Sequence, residues 1–140
     1  MPIDVVELLR SVVSFLKADP GWQGVDVALD GRPARIAADP HLVKIALQNL
    51  LMNAMQAMRG RGTIGVTVSE VGHMAHVDVI DSGPGMSAAV QARVFTPFFT
   101  TKARGTGLGL ATVRRIAESH SGAVSILRTS ASGTAMRLSI

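Results

Sequence analysis

The stretches DSGPG at residues 81–85 and GTGLG at residues 105–109 decide which fold this sequence predicts. Both space their glycines so that the backbone can approach a ligand closely. The first follows an alternating apolar run at residues 75–80, which is typical of a strand, and the second opens a helical pattern. Upstream, Asn49 and Asn53 lie four residues apart in the longest helical pattern and therefore share a face. Together these features predict a nucleotide pocket.

The length and composition predict one globular domain. The chain has 140 residues, enough to bury a core of its own. It contains no cysteine, which excludes disulfides and thiolate metal ligands, and no apolar run approaches the roughly 18 residues of a membrane helix. Its net charge of +4 comes from scattered Lys and Arg residues among few aromatic ones. We therefore expect no nucleic-acid surface and no membrane contact, whereas an anionic small ligand suits this charge.

Hydrophobic periodicity predicts a mixture of helices and strands. Helical spacing covers residues 4–17, 41–58, 87–93 and 106–119. Strand-like alternation covers residues 25–29, 35–37, 63–71, 75–81, 123–127 and 134–140. Because strands that are adjacent in sequence are mixed with helices, we expect an α+β fold. It is a two-layer α/β sandwich, with a mixed, largely antiparallel sheet that helices cover on one face.

The paired asparagines and Asp81 each have a functional and an ordinary interpretation. An amide oxygen of Asn49 or Asn53 can serve Mg²⁺, which keeps several waters beside few protein ligands. Two Asn side chains can equally well solvate the exposed face of a helix. Asp81 can accept a hydrogen bond from an exocyclic amine such as that of adenine, or it can cap an ordinary turn.

The second glycine stretch and the aromatic run before it are just as ambiguous alone. Residues 105–109 can direct backbone N–H groups at phosphate from a helix N-terminus, but they match neither the dinucleotide fingerprint nor the Walker loop. The three phenylalanines of residues 95–99 can anchor a loop that brings Lys102 to a terminal phosphate, or they can belong to a plain surface loop. Chance rarely places all these motifs in this order.

In this order the motifs resemble those of the ATP-binding catalytic domain of bacterial sensor histidine kinases. Its wider superfamily, the GHKL proteins, also contains gyrase-type topoisomerases, Hsp90 and MutL. The N box is matched by residues 48–54 (QNLLMNA) and the first glycine box by residues 81–86 (DSGPGM). The F box is matched by residues 95–99 (FTPFF) and the second glycine box by residues 105–110 (GTGLGL). The resemblance covers essentially the whole chain and implies the Bergerat ATP-binding fold.

The resemblance also implies ATP and Mg²⁺ as cofactors and gives individual residues their roles. Asn53 would be the Mg²⁺ ligand, Asn49 and Lys102 would be the catalytic residues, and Asp81 would bind the adenine amino group with Thr134 helping through water. The full implied nucleotide-binding set is Asn49, Asn53, Asp81, Gly83, Gly85, Met86, Thr101, Lys102, Gly105, Gly107, Leu108, Gly109, Leu110 and Thr134.

Asn49 separates the branches of this superfamily. In the ATP-hydrolysing branch a Glu at this position activates water, and an amide cannot act as that base. The resemblance therefore favours the kinase branch, in which a histidine on a separate domain is the nucleophile, usually followed by an acidic residue. None of the four histidines, His41, His73, His76 and His120, precedes Asp or Glu. We expect the phosphoacceptor-histidine domain to be absent from these residues and the four histidines to be structural or solvated.

The sequence thus predicts the catalytic domain of a two-component sensor histidine kinase over residues 1–140. Residues 1–20 would form a linker-proximal helix and residues 95–106 the ATP lid. The domain would transfer the γ-phosphoryl group of ATP to the dimerisation and histidine-phosphotransfer domain of the same kinase, with a response regulator downstream. We expect it to be cytoplasmic, in a full-length protein that can be membrane-anchored, and monomeric in isolation. Two alternatives stay open: an anti-sigma-type protein serine kinase and a non-catalytic nucleotide-sensing module.

Overall fold

The computed structural model describes residues 2–99 and 109–140, in which strands and helices are interspersed. The strands are β1 (Pro2–Asp4), β2 (Val25–Gly31), β3 (Arg35–Ala37), β4 (Gly62–Val71), β5 (Met74–Asp81), β6 (Ala123–Ser130) and β7 (Gly133–Ser139). The helices are α1 (Val5–Lys17), α2 (Pro40–Ala57), α3 (Ala88–Gln91) and α4 (Gly109–Ser119), with a short 3₁₀ helix at Pro20–Trp22.

A five-stranded sheet in the order β2-β4-β5-β7-β6 forms one layer. β2 runs parallel to β4, and the other three pairings are antiparallel. Cross-strand partners line up in rows, one of which crosses the sheet through Leu29, Val66, Val79, Met136 and Ile126. This is the mixed, largely antiparallel sheet that the sequence predicts.

The helices cover one face of this sheet and enclose the core. Alternate residues of β5, namely Ala75, Val77 and Val79, are buried, whereas the residues between them are partly exposed. That alternation is typical of a sheet with one packed face. Leu47 and Leu50 of α2 are almost fully buried on the helical side of the core. The predicted two-layer α/β sandwich is therefore confirmed.

The opposite face of the sheet is polar at its centre. Arg137 of β7 donates from Nε and Nη2 to the two carboxylate oxygens of Asp78 on β5, at 2.8 and 2.9 Å. The two residues are direct cross-strand partners. The hydrogen bond to Asp78 raises the pKa of Arg137 above its ordinary value. A bidentate pair of this kind has a demanding geometry, so it favours the observed register of β5 against β7.

An Asp followed by Pro predicts an N-cap and the first position of a helix, and α2 begins there because its first residues are capped. The Asp39 carboxylate accepts hydrogen bonds from the backbone N–H groups of His41 and Leu42, at 2.9 and 3.3 Å. Pro40 occupies the first turn, where its missing N–H has no helical partner to lose. The cap therefore sets the starting point of the helix that carries both asparagines.

The same N-cap residue also joins α2 to the end of α4. The backbone N–H of Asp39 donates to Nε2 of His120 at 3.1 Å, and Nδ1 of His120 lies 2.8 Å from the carbonyl oxygen of Ile116. A ring that accepts at Nε2 and donates from Nδ1 is a neutral imidazole. His120 is thus structural, as expected, and it holds the C-terminal end of α4 beside the N-terminal end of α2.

Three boundaries differ from the sequence prediction for physical reasons. The short strand β1 pairs antiparallel with β3, and Asp4 is the N-cap of α1 rather than its first residue. β2 continues to Gly31 because its parallel ladder with β4 extends to the pair Gly31–Val68. Strand β6 contains an irregularity between Ile126 and Arg128, where the register against β7 shifts by one residue.

None of the described helices is long and apolar enough to cross a membrane.

We predict that His120→Ala lowers the free energy of unfolding by about 1 kcal/mol, because it removes the hydrogen bond that joins the two helices. His73→Ala is the matched control, since His73 is exposed in the turn between β4 and β5. Urea unfolding followed by circular dichroism measures both. Equal stability of the two variants would show that the contact between His120 and Asp39 contributes nothing.

Candidate functional site

Two polar side chains are buried in the part of the chain that the structure describes, and they are neighbours. Asp81 at the end of β5 is 7% exposed and Thr134 at the start of β7 is 5% exposed. They are direct cross-strand partners on the helical side of the sheet. Because burying a carboxylate is costly, its presence in an otherwise apolar layer marks a site that has a use for it.

The Asp81 carboxylate is oriented by the backbone around it. Its Oδ1 accepts hydrogen bonds from the N–H groups of Gly83 at 2.9 Å and Thr134 at 3.3 Å. These two donors come from opposite sides, one from the loop that follows β5 and the other from β7. The carboxylate is therefore held at a defined orientation.

The first glycine stretch is shaped by close contacts that a side chain would prevent. Gly85 has a φ of +83°, and a Cβ there would overlap the carbonyl oxygen of Ser130. A Cβ on Gly83 would lie 3.0 Å from the Asp81 carboxylate and 3.2 Å from the carbonyl oxygen of Ala57. The loop at residues 81–85 therefore lies between the hairpin of β6 and β7 on one side and α2 on the other. Its glycines let the backbone approach both elements closely.

Helix α2 brings the paired asparagines to the same place. Asn53 lies one turn before Ala57, whose carbonyl faces the Gly83 loop, and is partly buried. The Asn49 amide nitrogen donates to the carbonyl oxygen of Ile45 at 3.0 Å. A Cβ on Gly109, the first described residue of α4, would lie 3.2 Å from Asn49 Oδ1. The end of the second glycine stretch therefore lies directly against the N box.

A hydroxyl that the sequence did not single out completes the described site. Thr129 Oγ1 on β6 lies 2.8 Å from Thr134 Oγ1 and accepts a hydrogen bond from the Met86 N–H at 2.9 Å. Thr129 is one of several polar residues near the hairpin of β6 and β7, so its residue type alone does not indicate a place in the site. Its position becomes informative only when the strand register is known.

The aromatic run between the two glycine stretches is only partly an anchor. Phe95 packs against the core, and the Arg93 guanidinium lies 5.1 Å from the centre of the Phe99 ring. Phe98 is 76% exposed with a φ of +67°. Of the two interpretations that the sequence leaves open, anchoring therefore fits Phe95, whereas Phe98 has the exposure of a surface loop.

The predicted residues thus divide into two groups. The structure brings together Asn49, Asn53, Asp81, Gly83, Gly85, Met86, Gly109 and Thr134 around the carboxyl end of β5. Leu110 follows Gly109 and is buried in the hydrophobic core. Five others lie outside the described residues and stay predictions: Thr101, Lys102, Gly105, Gly107 and Leu108.

The chemistry of the described residues fits an adenine nucleotide with Mg²⁺. A buried, oriented carboxylate suits the exocyclic amine of a base, and glycines on both sides leave room for a flat ring and for phosphates. The amide oxygens of α2 are hard neutral donors of the kind that Mg²⁺ accepts beside phosphate and water.

Comparison with known proteins agrees with this geometry. Residues 38–140 match the family model described as "Histidine kinase-, DNA gyrase B-, and HSP90-like ATPase". The chain belongs to this family. Curated proteins similar to this chain include the sensor histidine kinase ZraS of Escherichia coli K12, 45% identical over 139 residues, which are 97% of this chain and 30% of that protein.

Another relative and a solved structure extend the comparison. Sporulation kinase A of Bacillus subtilis is 31% identical over 139 residues, which are 98% of this chain and 23% of that protein. The catalytic domain of histidine kinase ThkA superposes with a TM-score of 0.89 at 29% identity, over 100% of this chain and 93% of that one. The chain thus spans less than a third of these curated relatives, and nearly all of a domain solved alone.

We predict opposite stability effects for alanine at two glycines of this domain. Gly85→Ala should lower the free energy of unfolding by more than about 1 kcal/mol, because its φ is positive and Ser130 blocks the new methyl group. Gly65→Ala should raise it by about 0.5 kcal/mol, since Gly65 is extended in β4 with no atom within 4 Å of the new Cβ. Urea unfolding measures both. Changes of the same sign would contradict the close approach of the first glycine stretch to β6.

Proposed function

We propose that this domain binds ATP with Mg²⁺ and is the catalytic domain of a two-component sensor histidine kinase. The observation that carries the proposal is the buried Asp81 carboxylate, oriented by the N–H groups of Gly83 and Thr134 within a fold of the matching ATPase family. Support also comes from the named relatives, which are sensor kinases, and from full-length ShkA, solved in complex with AMPPNP, whose structure matches this chain with a TM-score of 0.86 at 27% identity.

Base recognition follows from the acceptor character of Asp81. An ionised carboxylate only accepts hydrogen bonds. It therefore suits the amino group of adenine and repels the carbonyl oxygen that guanine carries at the same position. Because the site is buried, this difference is weakly screened by water and contributes strongly to selectivity.

The phosphates would lie between α2 and the second glycine stretch. Asn53 would contribute a Mg²⁺ ligand, and Asn49 would support it from one turn earlier on the same face. Mg²⁺, when bound, neutralises part of the triphosphate charge. Gly105 and Gly107 would offer backbone N–H groups beside the start of α4, where the helix dipole favours an anion. Lys102 would supply the positive charge nearest the γ-phosphate.

The chemistry would be phosphoryl transfer rather than hydrolysis. The bond from the γ-phosphorus to the bridging oxygen breaks, a bond to an imidazole nitrogen forms, and ADP leaves as the imidazole releases its proton. This chain would supply position and charge, with little covalent chemistry of its own. The amide of Asn49 lacks the basicity to activate water, so ATP would persist until a histidine arrives.

The partners follow from the same proposal. The nucleophilic histidine would belong to the dimerisation and histidine-phosphotransfer domain of the same kinase, and a response regulator would receive the phosphoryl group afterwards. The curated relatives, which are more than three times as long as the matched segment, leave room for such domains. We place this domain in the cytoplasm, where ATP is abundant.

We predict that Asn53→Ala weakens AMPPNP binding about 10-fold in the presence of Mg²⁺ and less than about 2-fold with a chelator, because the lost group is a metal ligand. Calorimetric titration measures both constants. Met52→Ala is the matched control, since Met52 is the preceding residue and is exposed. An equal loss with and without the metal would remove Asn53 from the Mg²⁺ site.

The proposed reaction is tested by supplying a phosphoacceptor-histidine domain. The chain is incubated with γ-labelled ATP and Mg²⁺, alone and with the dimerisation domain of ZraS. We expect ATP to be recovered intact when the chain is alone, and an acid-labile, alkali-stable phosphoryl group on the added domain. Rapid conversion to ADP without the added domain would contradict the kinase assignment. An acid-stable label on a protein serine would favour a serine kinase instead.

A further inference from the structure

A chain of hydrogen bonds runs through Thr129 to the buried site. The Met86 N–H donates to Thr129 Oγ1 at 2.9 Å, and Thr129 Oγ1 lies 2.8 Å from Thr134 Oγ1. The backbone of Thr134 in turn donates to the Asp81 carboxylate at 3.3 Å. Thr129 therefore connects the first glycine stretch, through Met86, to the pair of residues that mark the pocket.

The register shift in β6 is the reason that Thr129 belongs to this row. Arg128 pairs with Ala135 and Thr129 with Thr134, whereas Ile126 pairs with Met136, so Leu127 is the additional residue on β6. If Leu127 instead paired regularly with Ala135, Thr129 would oppose Gly133 and its side chain would leave the row. With the register shift, the side chains of Asp81, Thr134 and Thr129 follow one another across three strands on the same face.

The direction of the bond between the two threonines is set by its neighbours. A backbone N–H can only donate, so Thr129 Oγ1 accepts from Met86 and one of its lone pairs is in use. An oxygen that accepts a hydrogen bond becomes a better donor through its own hydrogen. The favoured arrangement is therefore one in which Thr129 donates to Thr134. The hydroxyl hydrogen of Thr134 can then be donated to a different acceptor.

We propose that Thr129 is a specificity-determining positioning residue, which makes the Thr134 hydroxyl a hydrogen-bond donor towards ring nitrogen N1 of adenine. This inference rests on the proposed function, since it needs an adenine nucleotide at Asp81. Adenine presents an amino donor beside the N1 acceptor, which complements an acceptor at Asp81 beside a donor at Thr134. Guanine presents a carbonyl acceptor beside an N1–H donor, so both contacts would be mismatched. Thr129 acts through Thr134, directly or through one water, and does not touch the base.

The test compares ATP with 1-deaza-ATP, which has a C–H group in place of N1. Calorimetric titration with Mg²⁺ gives both dissociation constants for the wild type, Thr129→Val, Thr129→Ser and the control Thr67→Val. Valine keeps the shape of threonine without the hydroxyl, and serine keeps the hydroxyl. Thr67 is an exposed threonine of β4, away from the site.

We expect the wild type to bind 1-deaza-ATP about 3- to 10-fold more weakly than ATP, which is the value of one hydrogen bond. That ratio should fall close to 1 in Thr129→Val and stay at the wild-type value in Thr129→Ser and Thr67→Val. A Thr129→Val protein that loses affinity for both nucleotides equally, with an unchanged ratio, would overturn the inference and leave Thr129 a purely structural role.

The wild-type measurement keeps the inference testable if Thr129→Val does not fold. Equal affinity of the wild type for ATP and 1-deaza-ATP would overturn it without any variant. Failure of the wild type to bind either nucleotide would instead overturn the proposed function, which is therefore distinguished from failure of the inference.

Discussion

The burial of one carboxylate, Asp81, is the constraint on which the rest of the site depends. A charged group at the end of an interior strand has to receive hydrogen bonds that replace those of water. The chain supplies them from the backbone of Gly83 and Thr134. Both donors can come so close because glycines flank them: a side chain on Gly83 would meet Asp81 and Ala57, and one on Gly133 would overlap the Asp81 carbonyl. The glycines are therefore needed because only residues without a side chain let the backbone donors approach the buried carboxylate this closely.

Contacts between helices α2 and α4 position the phosphate side of the site. Helices α2 and α4 run antiparallel and meet at both ends of α4, where Gly109 lies against Asn49 and His120 accepts from the Asp39 N–H. Asp39 and Asn49 on α2, like Gly109 and His120 at the two ends of α4, are separated by about ten residues, or about 15 Å of helix. The start of α4 is therefore held at a fixed position along α2. The adenine end depends on strand pairing, while the phosphate end depends on these helix contacts, so the two halves of the pocket are positioned by different elements.

The sequence predicts the features that neighbouring residues determine. It does not predict those that depend on pairing between segments far apart in the chain. Periodicity, capping and backbone geometry predict helix α2 with its Asp39–Pro40 start, the pairing of β4 with β5, and the close backbone approach at Gly83 and Gly85. Strand β1 was missed because three residues carry no period and pair with β3 about thirty residues away. The sequence does not show which of the three phenylalanines anchors the loop, because exposure of Phe98 depends on its positive φ. Thr129 joins the site through a register shift that its neighbours in sequence do not reveal.

The additional residue in β6 has a consequence for how this hairpin can change over evolutionary time. Leu127 has no partner of its own on β7, since Ile126 pairs with Met136 and Arg128 with Ala135. A deletion of Leu127 would therefore leave an uninterrupted ladder in which Thr129 still opposes Thr134. One residue inserted or deleted in a regular stretch of strand would instead turn the following side chains to the other face. The bulge is thus the position at which this hairpin can lose a residue while the side chains of the site keep their places.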